Sequence, residues 1–60
     1  MDIFDSLQLL ISNTVKEIAK NREKQRGQYR LAALVKLRSE EDRLKGKLEA
    51  YQELRRLLNA

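Results

Sequence analysis

The chain has 60 residues, no cysteine, no histidine, no proline and a formal net charge of +4. It therefore lacks a disulfide framework, the usual ligands of zinc, iron and copper, and the side chain most often used as a general base. Hydrophobic residues make up 42% of the sequence, which is too much for a disordered chain, and β-branched residues never alternate as they would in strands. We expect one small all-α domain over residues 1–60, without a cofactor.

The first segment predicts an amphipathic helix over about residues 3–24. Its apolar stripe follows spacings of three and four residues through Phe4, Leu7, Ile11, Thr14 and Ile18, and is widened by Ile3, Leu10 and Val15. Either Asp2 or Asp5 can cap the start of this helix. Because Thr14 lies on the stripe, its hydroxyl has to donate to the preceding turn or across an interface.

The sequence then predicts a turn near Gly27. The apolar stripe stops after Ala19, and residues 21–28 offer nothing to bury, so the helix loses tertiary support there. Gly27 can take the left-handed conformation that ends many helices, and the preceding basic residues suit a helix carboxyl end. The alternative is one bent helix running through Gly27, since a single glycine costs a helix only about 1 kcal/mol.

A long second helix is predicted over about residues 29–58. Its leucines fit a heptad with Leu34 and Leu48 at the first (a) position and with Leu37, Leu44, Tyr51 and Leu58 at the fourth (d) position. Glu41 and Arg55 fill the other a positions. Ser39-Glu40-Glu41-Asp42 resembles a capping box that could start a third helix at residue 39. We favour one continuous helix, because no glycine or proline enforces a break there.

Two polar a positions are too many for a strong simple zipper and favour a helical bundle. Helices of about 33 and 45 Å, folded back as an antiparallel hairpin, would leave Leu54, Leu57 and Leu58 uncovered. We therefore predict that two hairpins form a homodimeric four-helix bundle. The expected core and interface residues are Phe4, Leu7, Ile11, Ile18, Leu34, Leu37, Leu44, Leu48, Tyr51, Leu54 and Leu58. In shape and size this resembles plasmid copy-number regulators of the Rop type, which are RNA-binding dimers of helical hairpins, but no shared motif carries residues across.

The residue inventory argues against an enzyme and against a small-molecule substrate. The hydroxyls of Ser6, Ser12, Ser39 and Thr14 have no histidine to activate them, and the two glycines stand alone rather than forming a phosphate loop. Glu40, Glu41 and Asp42 are consecutive on a helix, so their carboxylates point in different directions and do not converge on one substrate.

The segment from residue 16 to 38 concentrates the positive charge, with eight Lys/Arg against two Glu. Three interpretations remain open: a solvated turn, a nucleic-acid contact, or a contact with an acidic protein surface. The candidate contact residues are Lys16, Lys20, Arg22, Lys24, Arg26, Tyr29 and Arg30.

The sequence thus favours a small non-enzymatic protein that self-associates and binds another macromolecule. A protein partner is the first expectation, with the chain acting as an adaptor, inhibitor or regulator. An RNA- or DNA-binding bundle is the alternative. The apolar runs are too short for a membrane span, and a cytoplasmic location is expected.

Overall fold

The computed structural model describes residues 2–59, which form two helices joined by a short turn. Helix α1 spans Ile3–Arg26 and helix α2 spans Leu31–Leu58. The helices lie side by side in opposite directions, and the Cα atoms extend over 44 × 17 × 12 Å. The predicted all-α hairpin is confirmed. α1 ends two residues later than predicted and α2 begins two residues later, so a single bent helix is excluded.

Asp2 caps the first helix. Its backbone is extended, and its Oδ1 accepts a hydrogen bond from the backbone N–H of Asp5 at 2.9 Å. One of the free amides at the helix start is thereby satisfied, and Asp5 adds a second negative charge beside the positive end of the helix dipole. At the other end, Lys24 and Arg26 lie in the last turn, where their charge is favourable.

The turn does not use Gly27 in the way the sequence suggested. Gly27 has φ −91° and ψ 1°, so the expected left-handed conformation is wrong. These angles are open to residues with a side chain, and a Cβ built on Gly27 would meet no atom within 4 Å. The helix instead ends in a tight turn, in which the backbone N–H of Gln28 donates to the carbonyl of Gln25 at 3.2 Å.

Helix α2 is continuous. It runs without interruption through Ser39 and Gly46, so the alternative of a new helix beginning at residue 39 is wrong. Its 28 residues correspond to about 42 Å, against about 36 Å for the 24 residues of α1. The two helices therefore match in length more closely than the sequence predicted.

One narrow seam joins the helices. On α1 the buried positions follow spacings of four and three through Leu7, Ile11, Thr14, Ile18 and Asn21. On α2 the half-buried positions include the a and d positions of the heptad, from Leu34 to Arg55. Alternation of three and four is the spacing of a two-stranded coiled coil, and the hairpin is an antiparallel one.

Candidate interaction surfaces

The seam continues into a polar layer at Asn21 and Gln25, where the sequence pattern predicted nothing to bury. Asn21 is 5% exposed, and its Nδ2 donates to the carbonyl of Leu37 across the seam at 3.0 Å. Gln25 Nε2 donates to Asn21 Oδ1 at 2.6 Å and to Glu41 Oε1 at 3.1 Å. Both residues lie at the next steps of the buried spacing after Ile18. Continuing that spacing through polar residues would have identified them.

Glu41 is the acidic member of this layer. Its side chain is only 13% exposed, and its Oε2 accepts a hydrogen bond from Arg22 Nε at 2.8 Å, with Lys45 Nζ at 3.6 Å. The hydrogen bond from Arg22 is the largest cause that lowers the pKa of Glu41 from 4.5 to about 2, followed by the hydrogen bond from Gln25. The carboxylate is therefore ionised at neutral pH and holds α1 through two partners.

Arg55, the other polar a residue, also has a partner on α1, because its Nη1 donates to Gln8 Oε1 at 2.8 Å. In the part of the chain that the structure describes, no buried side-chain nitrogen or oxygen lacks a hydrogen-bond partner. The polar a positions are thus accommodated within one hairpin. They do not by themselves require a bundle, and the dimeric bundle stays a prediction.

Thr14 satisfies its hydroxyl locally. It is buried at 3% exposure, and its Oγ1 donates to the carbonyl of Leu10, one turn earlier, at 2.7 Å. The sequence left open a hydrogen bond to the preceding turn or one across an interface, and the structure has the first. The buried hydroxyl therefore needs no partner from another chain.

The residues expected in the core and interface occupy three environments. The buried ones are Leu7, Ile11 and Ile18. The half-buried ones are Leu34, Leu37, Leu44, Leu48 and Tyr51. The exposed ones are Phe4, Leu54 and Leu58. This last group lies at the open end of the hairpin, opposite the turn, where Ile3 and Leu57 are also exposed.

The candidate contact residues of the basic segment do not form one patch. Arg22 is engaged with Glu41, and Arg26 Nη1 lies 3.9 Å from Glu23 Oε2. Tyr29 is 96% exposed in the turn, and Lys16 and Arg30 are exposed. The remaining two, Lys20 and Lys24, lie on a different side of α1 from Arg22.

A groove runs along that side of the hairpin and brings Lys20 and Lys24 together with Arg43 of α2. Its volume is about 320 Å³, and its lining also includes Glu17 and Glu40. Sequence reasoning did not name Arg43 as a contact residue. It lies outside the basic run, and only the antiparallel pairing of the helices brings it to Lys20.

Beyond the groove, toward the open end, the same side of the hairpin carries apolar residues, since residues seven apart share one stripe of a coiled-coil helix. The α1 stripe contains Ile3, Leu10, Glu17 and Lys24. The α2 stripe contains Glu40, Lys47 and Leu54. We call these two stripes together the groove face.

The antiparallel register places the two stripes side by side in a definite order. The contacts of Gln8 with Arg55 and of Arg22 with Glu41 set that register. To within about one residue, it puts Leu10 level with Leu54, Glu17 level with Lys47, and Lys24 level with Glu40. The groove face therefore pairs apolar with apolar residues at the open end and opposite charges toward the turn.

No helix within residues 2–59 is long and apolar enough to cross a membrane. In the same range, no three acidic side chains gather into a cluster that could hold a metal ion. Comparisons of the chain with protein-family models, with curated proteins and with solved structures find no match.

Proposed function

We propose that this protein works by binding rather than by catalysis. It self-associates and binds a further macromolecule, a protein, as a small adaptor, inhibitor or regulator. What carries the proposal is the distribution of apolar residues: within residues 2–59 the buried hydrophobic side chains are Leu7, Ile11 and Ile18, and α2 contributes none.

The surface area supports self-association. The hairpin exposes 4998 Å². A compact folded protein of 7.1 kDa would expose about 4,100 Å² by the usual scaling of area with mass. The excess of about 900 Å² is close to what one subunit gives up in a standard interface, about 800 Å².

The turn end supports a protein partner. Tyr29, Leu31 and Val35 are 96%, 75% and 59% exposed, and they lie within seven residues of one another. Large apolar side chains that remain exposed close together are typical of protein interaction sites. The three residues lie at the opposite end from the apolar part of the groove face, so self-association there would leave them accessible.

Photo-crosslinking in the cells that express the protein tests the partner. With a crosslinking amino acid in place of Val35, we expect a discrete adduct with another protein. The same group in place of Glu53, on an outer face of α2, should give much less of that adduct. An adduct that contains nucleic acid and no second protein would contradict the proposal.

A nucleic-acid contact is the second candidate, favoured by one observation. Lys20, Lys24 and Arg43 line the same groove, and none of the three forms an ion pair with another described residue. Replacing all three by Gln should then abolish the salt-dependent retention of the protein on heparin. The control replaces Lys36, Arg38 and Arg56, which are exposed and lie outside the groove lining, and so removes the same charge elsewhere. Equal loss of retention in both variants would mean that net charge alone, and not the groove, causes binding to heparin.

A further inference from the structure

We infer that the groove face is where a second copy of this chain docks, with a two-fold axis parallel to the helices. Each α1 then lies over the α2 of the other copy, and the two turns lie at the same end. The inference rests on the proposed self-association and specifies its surface and its orientation.

The symmetry makes the facing residues predictable. Rotation about an axis parallel to the helices exchanges α1 and α2 but keeps every residue at its own level along the bundle. A residue of α1 therefore faces those residues of the other copy that are level with it in its own hairpin. Leu10 meets Leu54 of the second copy, Glu17 meets Lys47, and Lys24 meets Glu40, each twice by symmetry.

This orientation is complementary at the three levels where both stripes of the groove face have a residue. Apolar side chains meet at the open end, where Leu10 and Leu54 are 44% and 45% exposed in the single hairpin. Opposite charges meet toward the turn, and neither Glu17–Lys47 nor Lys24–Glu40 forms an ion pair within the described hairpin. Lys20 and Arg43 flank the two stripes, where solvent reaches them and screens their repulsion.

Two other ways of docking the second copy would be less complementary in charge. A two-fold axis across the middle of the helices would set the apolar end of one copy on the charged half of the other, which desolvates charges without pairing them. On the opposite side of the hairpin, Arg22 and Lys45 line a second groove with Val15. Both cations already share Glu41, so a symmetric contact there would bring positive charges together.

A matched pair of leucines tests the surface. Leu10→Asp should convert the dimer to a monomer at micromolar concentration in sedimentation equilibrium, because it places two carboxylates in the apolar part of the interface. Leu9→Asp should leave the dimer intact, since Leu9 is the adjacent exposed leucine but points to the outside of α1. A dimer that survives Leu10→Asp would overturn the inference while leaving self-association in place.

Charge exchange tests the same surface without relying on folding. Glu17→Lys alone and Lys47→Glu alone should each weaken self-association about tenfold, since each puts like charges in two symmetric pairs. When the two variants are mixed, the heterodimer should form in preference to either homodimer. Both 17–47 pairs between its chains are then opposite in charge, as are both Lys24–Glu40 pairs. Within each chain of the heterodimer, positions 17 and 47 still carry like charges. A destabilised hairpin therefore cannot explain a recovery of self-association on mixing. No recovery would overturn the inference.

The orientation is tested by distance. The native chain has no cysteine, so Tyr29→Cys provides a single site for a spin label in the turn. A parallel axis puts the two labels within roughly 30 Å, whereas a perpendicular axis would separate them by roughly 40 Å, the length of the helices. The longer distance would overturn the proposed axis. A wild-type protein that is monomeric and fully helical would overturn both this inference and self-association, but not the separately tested protein partner.

Discussion

Arg22 and Glu41 form an ion pair across the hairpin, with Nε 2.8 Å from Oε2, although Glu41 occupies a position that a simple coiled coil gives to leucine. Gln25 and Asn21 extend this contact to the backbone of Leu37. Each polar group in the layer has its partner only when α1 and α2 are in the observed register. A slip by one heptad would place Glu41 against Thr14 or Gln28 and leave these groups without their present partners. The layer therefore acts as a register marker within an otherwise leucine-rich seam.

The first prediction concerns acid. The pKa of Glu41 is lowered from 4.5 to about 2 in the folded protein, so its contribution to stability is complete above pH 4.5 and is lost as the pH falls toward 2. The stability difference between wild type and Glu41→Gln should therefore be constant near neutral pH and shrink between pH 4.5 and 2. Urea denaturation at several pH values measures this difference.

A direct check is the carboxyl titration of Glu41 by carbon-13 NMR, with an expected midpoint of about 2. A midpoint near 4.5 would show that the Arg22 and Gln25 hydrogen bonds are not formed in solution. Glu49→Gln is a suitable control for the denaturation series, because Glu49 is exposed and should change stability by less than about 0.5 kcal/mol at any pH.

The second prediction concerns Asn21. Asn21→Ala removes the donor to the Leu37 carbonyl and the acceptor for Gln25, and should destabilise the hairpin by about 1–3 kcal/mol. Asn13→Ala makes the same chemical change at an exposed position of the same helix and should stay within about 0.5 kcal/mol. Chemical denaturation followed by circular dichroism gives both values. Equal effects at the two positions would mean that Asn21 is not held in the seam.

The third prediction concerns the apolar part of the seam. Ile11 is 6% exposed, so Ile11→Ala should lower the free energy of unfolding by about 2–5 kcal/mol. Leu44→Ala and Leu48→Ala should fall at the lower end of that range, since both side chains are only half-buried in one hairpin. If folding is coupled to association, the melting temperature of each variant also falls on dilution. Changes below about 0.5 kcal/mol at all three positions would contradict the seam.

The fourth prediction concerns the two glycines. The backbone angles and open surroundings of Gly27 leave no strain for a side chain, so Gly27→Ala should be neutral or stabilise by up to about 1 kcal/mol. Gly46→Ala, in the interior of α2 with no atom in the way, should stabilise by about 0.5–1 kcal/mol. Thermal unfolding monitored by circular dichroism compares the two. A clear loss of stability in Gly27→Ala would indicate that Gly27 takes the left-handed conformation in solution.

The sequence by itself determined what is local along each helix. The spacing of Leu7, Ile11 and Ile18 predicted an amphipathic α1, and the heptad from Leu34 to Leu58 predicted a continuous α2. These features follow from side-chain periodicity, propensity and capping, which depend on neighbours within one or two turns. The break between the helices was predicted correctly near Gly27. The reason given for it was wrong, because Gly27 is not left-handed.

Only the tertiary structure decided which part of a wide apolar stripe became the seam. Ile3, Leu10 and Val15 widened the stripe of α1 in sequence, yet all three are exposed, while polar Asn21 is buried. That choice depends on what α2 presents at each level: Glu41 and the carbonyl of Leu37 give Asn21 and Gln25 their hydrogen bonds, which no local pattern encodes. The same pairing gives Arg22 its partner Glu41 and brings Arg43 to the groove, because residues distant in sequence meet only once the helices are packed.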